Sequence, residues 1–388
     1  MHTQFIKKIS NCLVLILMMS LLTACGTGFF DKDNTPIPTE LTKIKPEIRT
    51  QRLWSVRTGS GTNDEYLKMN PTLGDTAIVT TSTNGYVTSV NKTNGHINWQ
   101  TNTGLALAAG PGLGDNLVVV GSRKGDVLSL SAASGGIRWK TNIGSEILAK
   151  PAIHENVVLI KTSDGYLRGL SADNGHELWS FRQAEPSLIL RGASAPLIRD
   201  TSIIAGFANG NLAKLSLHTG RLLWLQTIAI PEGAFAIQRM IDIDADPILF
   251  DHHIYAATYQ GKIASVDWTS GRIDWTHDIS SYTGMTADEH SIYISDARSR
   301  VWSFAVDNGD VNWRQSKLEA RVLSAPADMG RTIVLGDAEG YLHWLDKGDG
   351  HFVGREYLGS AIYAAPIAQN NIVYVLSSNG NLTAYSVN

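Results

Sequence analysis

One spacing recurs along most of the chain and limits what it can fold into. In the segment that begins at Pro151, Gly165 follows after 14 residues, Gly175 after a further 10 and Trp179 after a further 4. Five copies keep all four residues and three more keep part of the pattern. The copies begin at Pro71, Pro111, Pro151, Pro196, Pro247, Met285, Pro326 and Pro366. Constant spacing across divergent side chains indicates a repeat architecture rather than separate domains.

Each copy has the pattern of four short strands. A β-rich run such as Val157–Lys161 is followed by the turn Asp164-Gly165 and by an alternating strand over residues 166–170. A second turn, Asn174-Gly175, leads to a strand that carries the Trp. The initial Pro suits the start or the edge of a strand. Repeats of about 40 residues with four strands are typical of β-propeller blades.

The two ends of the repeat array predict how the ring closes. The eighth copy stops at Asn388 before its Trp strand, while the segment 51–56 ahead of the first copy carries an extra Trp, Trp54. We therefore predict an all-β, eight-bladed propeller of four-stranded blades over residues 48–388, whose last blade is closed by the N-terminal strand. The alternative, an open β-solenoid, leaves Trp54 unexplained. We interpret the repeated Trp as packing between neighbouring blades.

The N-terminus has the pattern of a targeting segment. Lys7 and Lys8 precede a ten-residue apolar run, Leu13–Leu22, which is too short to span a bilayer comfortably. Residues 1–24 are therefore predicted to be a secretory signal peptide. The sequence Leu-Thr-Ala-Cys at 22–25 resembles the bacterial lipobox, which implies that Cys25 is lipidated. An ordinary signal with an incidental Cys is the alternative.

The residues after Cys25 are predicted to be a tether and imply a destination. Residues 25–47 are polar, contain three prolines and show no periodicity, so we interpret them as a lipidated N-terminal tether. Gly26, rather than Asp, follows the Cys. By resemblance to the bacterial sorting rule, this implies the outer membrane.

Charge and cysteine content exclude several classes of protein. The formal net charge is −3 and no long basic run occurs, which argues against a nucleic-acid binder. Cys12 and Cys25 are the only cysteines, which excludes disulfide scaffolds, multi-Cys zinc sites and iron–sulfur clusters. We expect neither a cofactor nor a metal ion.

The repeat is least regular in two neighbouring connections. The distance from each Trp position to the next Pro position is 12, 12, 17, 23, 10, 13 and 12 residues. The longest neighbouring pair is 179–196 and 224–247. Both run from the outer strand of one blade to the inner strand of the next, so we expect them side by side on one face. Function on a repeat scaffold tends to lie where the repeat is broken.

The first of these connections is predicted to be a protein-binding edge. Its sequence at 187–192 is Ser-Leu-Ile-Leu-Arg-Gly, in which aliphatic residues that include Leu188 and Leu190 precede Arg191. Such an extended apolar segment suits contact with another protein. The alternative is that these residues begin an inner strand and belong to the core.

The second connection carries alternating acidic residues. Asp242, Asp244 and Asp246 alternate with aliphatic residues, so the acids are expected on one side. The spacing suggests a calcium loop, but Pro247 and His253 stand where an EF-hand needs Gly and Glu. Pairing of Arg191 with Asp242 or Asp244, as an internal brace or as part of an interface, is the preferred interpretation.

Taken together, these motifs resemble the BamB family. The lipobox, the eight blades, Ser-Leu-Ile-Leu-Arg-Gly at 187–192 and Asp-Ile-Asp at 242–244 carry the resemblance over essentially the whole chain. BamB proteins are propeller lipoproteins of the bacterial outer-membrane β-barrel assembly machinery. Ile189 is a departure, because small polar residues are common there in relatives.

The resemblance implies a function without catalysis. It implies a scaffold anchored to the periplasmic face of the outer membrane, which binds the POTRA domains of the barrel subunit BamA and assists delivery and insertion of unfolded β-barrel proteins. The family's contact residues match Leu188, Leu190, Arg191, Asp242 and Asp244.

Two other classes remain open from the residues. The blade repeat also resembles that of quinoprotein dehydrogenases, which bind pyrroloquinoline quinone on the propeller axis and often carry a vicinal disulfide. The mature chain retains only Cys25, which excludes that disulfide, and no nucleophile–base order or phosphate loop stands out. A lipid-anchored scaffold for another envelope partner is the third class.

Overall fold

The structure is a computed structural model that describes residues 36–63, 65–190 and 192–388. Pro38–Asn388 forms one compact unit of the chain. The predicted signal peptide, Cys25 and Arg191 lie outside the described residues. Within the described ranges, no helix is long and apolar enough to cross a membrane.

Eight four-stranded antiparallel sheets make up this unit, which confirms the predicted eight-bladed propeller. The strands of blades 1 to 4 are, in order, β2–β5 (Thr72–Leu73, Ala77–Thr81, Tyr86–Asn91, Ile97–Asn102), β6–β9 (Gly112–Gly114, Leu117–Gly121, Asp126–Ser131, Ile137–Asn142), β10–β13 (Ala152–His154, Val157–Lys161, Tyr166–Ser171, Glu177–Arg182) and β14–β17 (Leu197–Arg199, Ser202–Gly206, Asn211–Ser216, Leu222–Thr227). Those of blades 5 to 7 are β18–β21 (Ile248–Phe250, His253–Ala257, Gly261–Asp267, Ile273–Ile279), β22–β25 (Met285–Ala287, Ser291–Ser295, Val301–Ala305, Val311–Gln315) and β26–β29 (Ala327–Met329, Thr332–Gly336, Tyr341–Asp346, Phe352–Tyr357). Blade 8 consists of β30–β32 (Ile367–Gln369, Ile372–Leu376, Asn381–Val387) and β1 (Thr50–Arg57). One 3₁₀ turn, Ala236–Arg239, is the only helical element within the described ranges.

The N-terminal strand closes the ring as predicted. β1 is the outermost strand of blade 8 and pairs antiparallel with β32, from Thr50 opposite Val387 to Arg57 opposite Asn381. The first strand of a blade contacts the first strand of its neighbour, as in β26 and β30, so these strands surround the axis. Closure leaves only short outer edges exposed.

The repeated Gly and Trp form a latch between successive blades, in agreement with the packing role assigned to Trp. The second Gly of seven blades has a φ between +63° and +75°, and a Cβ atom there would lie 2.4–2.7 Å from the Trp ring of the preceding blade. A side chain at such a glycine would be strained in its backbone and would displace the ring. The pairs are Trp54 with Gly95, Trp99 with Gly135, Trp139 with Gly175, Trp179 with Gly220, Trp224 with Gly271, Trp275 with Gly309 and Trp313 with Gly350.

Hydrogen bonds strengthen these latches. The indole Nε1 of Trp139 donates to Ala172 O of the next blade at 2.6 Å, and that of Trp179 donates to Leu217 O at 2.8 Å. Six of the seven latch tryptophans bond to a carbonyl of the next blade in this way, whereas Nε1 of Trp54 has no partner among the described residues. The apolar core is correspondingly divided into clusters between neighbouring blades, such as that of Val157, Trp179 and Ile203.

Part of the predicted tether packs against the propeller. Thr39 N donates to Glu319 O at 3.0 Å, and Leu41 and Ile44 pack against the apolar cluster between blades 6 and 7. The compact unit accordingly begins at Pro38, ahead of residue 48, where the sequence analysis sets the start of the propeller. The few aliphatic residues of this polar, proline-containing segment do not alternate as in a strand, so no strand pattern marks this docking.

Candidate functional site

All eight connections between blades meet around one cavity on the propeller axis. The cavity has a volume of about 720 Å³ and opens on the face where these connections emerge. Each connection contributes at least one lining residue: Leu67, Ala108, Leu148, Leu190, Asp244, Tyr282, Val322 and Tyr363. The connections 179–196 and 224–247 therefore lie on one face, as predicted.

Two carboxylates of the second connection accept hydrogen bonds from the backbone of the first, and a third lies close to it. Leu190 N donates to Asp242 Oδ1 at 2.9 Å, and Ala195 N donates to Asp246 Oδ1 at 2.7 Å. Between them the chain passes so close to Asp244 that a Cβ atom on Gly192 would lie 2.6 Å from its Oδ2. We call Asp242, Asp244 and Asp246 the aspartate clamp.

Burial perturbs the acids of the aspartate clamp. The side chain of Asp242 is 1% exposed and that of Asp244 is 5% exposed. Burial and, to a smaller extent, the neighbouring Asp244 carboxylate raise the pKa of Asp242 to about 7. Burial also raises the pKa of Asp244, although Lys68 and Lys161 oppose the shift. Asp242 therefore changes protonation near neutral pH.

Two lysines, the partly buried Lys68 and the buried Lys161, supply the opposite charge. Lys68 Nζ donates to Asp244 O at 2.6 Å and to Tyr282 O at 2.8 Å, which ties three connections together. Lys161 Nζ donates to Ser194 Oγ at 3.1 Å. Burial lowers the pKa of Lys161, while Asp244 is the largest of the groups that oppose the shift. The mouth of the cavity is thus a charged and hydrogen-bonded frame rather than an apolar core.

Aromatic side chains line the cavity opposite this frame. The rings of Tyr66 and Tyr363 lie 5.1 Å apart and those of Tyr66 and Tyr282 lie 6.0 Å apart, both edge to face. Tyr259 continues the cluster at 6.1 Å from Tyr282. Burial raises the pKa of Tyr66 well above its usual value, so its hydroxyl stays protonated.

The predicted site residues divide into a surface group and a buried group. Leu188 is 42% exposed, and Leu190 is half-buried where it lines the cavity. Asp242 and Asp244 are buried: Asp242 accepts a hydrogen bond from Leu190 N, and Asp244 lies close to the backbone at Gly192. The predicted one-sided alternation is incomplete, because the aliphatic residues between the acids are buried as well.

Other residues of the site are not evident from the sequence patterns. Lys68 and Lys161 form the frame, although only Lys161 is conspicuous, as a lysine at the end of an apolar strand. Phe235 is 68% exposed and Ile237 and Ile230 are also exposed, all three in the connection 224–247. The sequence could have indicated this surface, because these apolar residues lie in the longest irregular connection.

The carboxylates of Asp242 and Asp246 are used as backbone acceptors. Of the described residues, one group of three metal-ligating side chains converges closely enough for an ion, namely Asp346, Asp349 and His351. These three residues lie at the end of β28 and in the turn before β29 of blade 7, and none of them belongs to the clamp.

Comparison with known proteins supports one family. A family model described as outer membrane protein assembly factor BamB matches residues 83–315 and 305–388. The chain belongs to the BamB family. It is 45% identical over 375 residues to the outer membrane protein assembly factor BamB of Alkalilimnicola ehrlichii, covering 96% of each chain. The crystal structure of BamB from Moraxella catarrhalis superposes with a TM-score of 0.80 at 28% identity, covering 87% of this chain and all of that one.

The same fold occurs in enzymes. A europium-containing methanol dehydrogenase superposes with a TM-score of 0.73 at 11% identity, covering 87% of this chain and 93% of that chain. At that identity the likeness is one of fold alone. The family assignment therefore indicates an outer membrane protein assembly factor rather than a dehydrogenase.

Proposed function

We propose that this chain is a lipid-anchored, non-enzymatic scaffold of outer-membrane β-barrel assembly. In this proposal the connection 179–196, held by the aspartate clamp, binds the POTRA domains of the barrel subunit BamA on the periplasmic side. By holding that subunit, the scaffold assists delivery and insertion of unfolded β-barrel proteins. The membership of the BamB family supports the assembly role.

The observation that carries the binding site is the hydrogen bond from Leu190 N to Asp242 Oδ1. It fixes the backbone two residues after Leu188, whose side chain remains exposed. An apolar side chain on a braced segment loses little conformational entropy when a partner covers it. Such pre-organised residues are the usual anchors of protein interfaces.

Arg191 is the proposed charged anchor beside Leu188. In the sequence it stands between Leu190 and Gly192, the residues held against Asp242 and Asp244. The second oxygen of Asp242, Oδ2, is buried and has no hydrogen-bond partner among the described residues. In this proposal Arg191 pairs with Asp242 or Asp244, as an internal brace or as part of the interface, as the sequence analysis expects.

Calorimetric titration of purified POTRA domains into the full-length protein tests this surface. We expect Leu188→Ala and Arg191→Ala each to weaken binding at least about tenfold, the usual loss for an interface anchor. Asp242→Asn keeps the volume of the side chain and removes the charge, so it should weaken binding indirectly through Leu190 and Arg191.

Ile137→Ala is the matched control, because Ile137 is an exposed aliphatic residue on the outer strand of blade 2. It should bind as the wild type does. Wild-type affinity in both Leu188→Ala and Arg191→Ala would place the surface elsewhere on the ring. A collapsed melting curve for Arg191→Ala would assign that residue to the core instead.

Cell fractionation tests the lipid anchor separately. We expect Cys25→Ser to release a folded protein from the outer membrane, whereas Cys12→Ser, which changes the other cysteine, should leave the protein anchored. Residues 26–37 lie between Cys25 and the compact unit and can reach about 40 Å when extended. Membrane retention of Cys25→Ser in cells that lack the partner would contradict anchoring through lipid.

A further inference from the structure

A cleft between blades 5 and 6 is lined by acidic residues on the face opposite the axial cavity. It has a volume of about 220 Å³, and the turns that border it lie at the other strand ends from the connections between blades. No lysine or arginine of the described residues lines it. Its charged lining residues are four acids and one histidine: Asp251, Asp274, Glu289, Asp307 and His253. Only His253, whose Nε2 lies 3.5 Å from Asp274 Oδ2, offers an opposite charge, so the cleft is negative.

The acids surround an aromatic ring instead of converging on a point. Burial is the main cause that raises the pKa of Tyr255, and three nearby carboxylates raise it as well, those of Asp307, Asp251 and Asp274. Of the described residues, only a group in blade 7 brings three ligating side chains close enough for one metal ion. The acids of this cleft are therefore too far apart for three of them to share a metal ion, and they suit a larger cation.

The next cleft around the ring, between blades 6 and 7, contains a cation that the chain itself supplies. Lys347 lines that cleft, and its Nζ lies 2.8 Å from Asp288 Oδ2 and 2.5 Å from Asp328 Oδ1. The same ammonium group lies 5.6 Å from the centre of the Tyr293 ring. Tyr293 has the same register in blade 6 as Tyr255 has in blade 5. Two carboxylates and an aromatic ring therefore hold an ammonium group there.

The cleft between blades 5 and 6 has the aromatic ring and the acids but lacks the ammonium group. Nε1 of Trp313 donates to Lys347 O at 2.8 Å. One blade earlier, Nε1 of Trp275 donates to Val306 O at 2.9 Å. Val306 therefore occupies the position of Lys347, and its side chain carries no charge. Acids border both clefts, although at different positions, so the cleft between blades 5 and 6 is left without a matching cation.

A buried hydroxyl of the same cleft has an unused hydrogen-bonding capacity. In blade 6, Asn312 Nδ2 donates to Ser303 Oγ at 3.3 Å. Blade 5 has Asp274 in place of that Asn, and a carboxylate accepts hydrogen bonds but does not donate them. Ser265, the counterpart of Ser303, is 1% exposed and lines the cleft beside the Tyr255 hydroxyl. Its Oγ has no partner in hydrogen-bonding geometry among the described residues, so a donor from outside the chain would satisfy it.

We propose that the cleft between blades 5 and 6 binds a short linear polyamine through its ammonium groups. One ammonium group lies over the Tyr255 ring, as Lys347 Nζ lies over its ring in the next cleft, and donates to Ser265 Oγ and to Asp274. Further ammonium groups of the same molecule reach the other acids of the cleft, which a single ion cannot bridge. The site is on the face opposite the connection 179–196, so it does not depend on the proposed binding of POTRA domains.

Isothermal titration calorimetry with spermidine tests the site in the full-length protein, kept in a non-ionic detergent at low ionic strength. We expect the wild type to bind spermidine at a single site. Val306→Lys places an ammonium group where blade 7 has Lys347, so it should compete from within and weaken spermidine binding at least about tenfold. Asp274→Asn introduces the amide found in blade 6 and removes one charge, so it should weaken binding about fivefold.

Two control variants separate this site from general attraction of polyamines to an acidic protein. Val306→Met changes the same side chain without adding charge. Asp173→Asn removes an exposed acid of blade 3 at the position that Asp307 has in blade 6, since each follows the residue whose carbonyl accepts the Trp hydrogen bond. Both controls should bind spermidine within about twofold of the wild type. Far-ultraviolet circular dichroism checks that every variant is folded, and Asp274→Asn decides if Val306→Lys does not fold.

Butylamine, which carries one ammonium group, distinguishes a polyamine from a single basic side chain of a partner protein. It should bind at least about tenfold more weakly than spermidine, because it reaches fewer of the acids. Equal affinity of the two amines would overturn the proposal, since a lysine of another protein would then fit as well. So would undiminished spermidine binding by Val306→Lys, equal losses in Asp274→Asn and Asp173→Asn, or the absence of measurable binding by the wild type.

Discussion

Replacing Gly135 by Ala tests whether the Gly–Trp latch holds neighbouring blades together. Gly135 has a φ of +70°, and a Cβ atom there would lie 2.5 Å from Cε3 of Trp99. The Trp99 ring is buried, and its Nε1 donates to Ala132 O at 2.9 Å. A methyl group at residue 135 therefore forces this ring to move and weakens its hydrogen bond.

The expected loss of stability has two parts. A left-handed backbone conformation costs an Ala about 1–2 kcal/mol relative to Gly. Overpacking against the ring adds about 1–3 kcal/mol, so Gly135→Ala should destabilise the fold by about 2–5 kcal/mol. Gly104 is the matched control: its φ is +67°, but no atom lies within 4 Å of its Cβ position. Gly104→Ala should therefore lose only the backbone part.

Guanidinium unfolding followed by circular dichroism and tryptophan fluorescence measures the difference. Equal destabilisation by the two substitutions, within about 0.5 kcal/mol, would refute the latch. A double-mutant cycle provides a second test. Trp99→Ala alone should cost about 3–5 kcal/mol, and in that background Gly135→Ala should lose only its backbone part. Strict additivity would show that the methyl group and the ring do not conflict.

Three further outcomes follow from the contacts. Deleting residues 48–56 removes most of the strand that closes blade 8, so calorimetry should show a lower thermal midpoint, and an unchanged midpoint would contradict closure. Asp337→Asn leaves the buried Arg321, 2.6 Å from the carboxylate, without its charged partner and should cost about 3–5 kcal/mol in urea unfolding; Asp278→Asn, in an exposed ion pair, should cost less than about 1 kcal/mol. The folded state raises the pKa of Asp242 to about 7. Between about pH 4 and pH 7 the folded protein therefore keeps a proton on Asp242 that the unfolded chain releases, and the free energy of unfolding falls as the pH rises through this range. Unfolding at pH 5, 6 and 7 should show a slope of up to about 1.4 kcal/mol per pH unit that Asp242→Asn removes, and equal slopes for both proteins would contradict it.

Much of the fold is encoded in local spacing and was predictable. The glycines of the hairpin turns adopt positive φ, as Gly165 does at +83°. The turns that they form are only a few residues long. Both properties depend on residues close in the sequence. The closure through Trp54 was also predictable. The eighth repeat lacks its Trp strand, and the N-terminal segment that carries Trp54 is an additional Trp strand, so the segment completes that blade.

The place of the two irregular connections on one face was predictable, whereas the contacts between them were not. Unequal spacing located the connections 179–196 and 224–247, and Leu188 is exposed there. The roles of the acids were left open between partner contact and internal brace. The buried position of Asp242 and its bond to Leu190 N, 52 residues away in sequence, identify a brace of the backbone.

The sequence by itself determined the number of blades, the order of their strands and the place where the repeat is broken, because glycine conformation, strand alternation and turn length act over short distances. Only the tertiary structure decided that Lys68 joins the aspartate clamp, that Leu41 and Ile44 dock on blades 6 and 7, and that the backbone at Glu47 and Ile48 bonds to Val353 O on the outer strand of blade 7. Each of these depends on residues that the closure of the ring brings together from distant parts of the chain. No local pattern specifies such contacts, since they are stabilised by burial and hydrogen bonding that exist only once the blades are assembled.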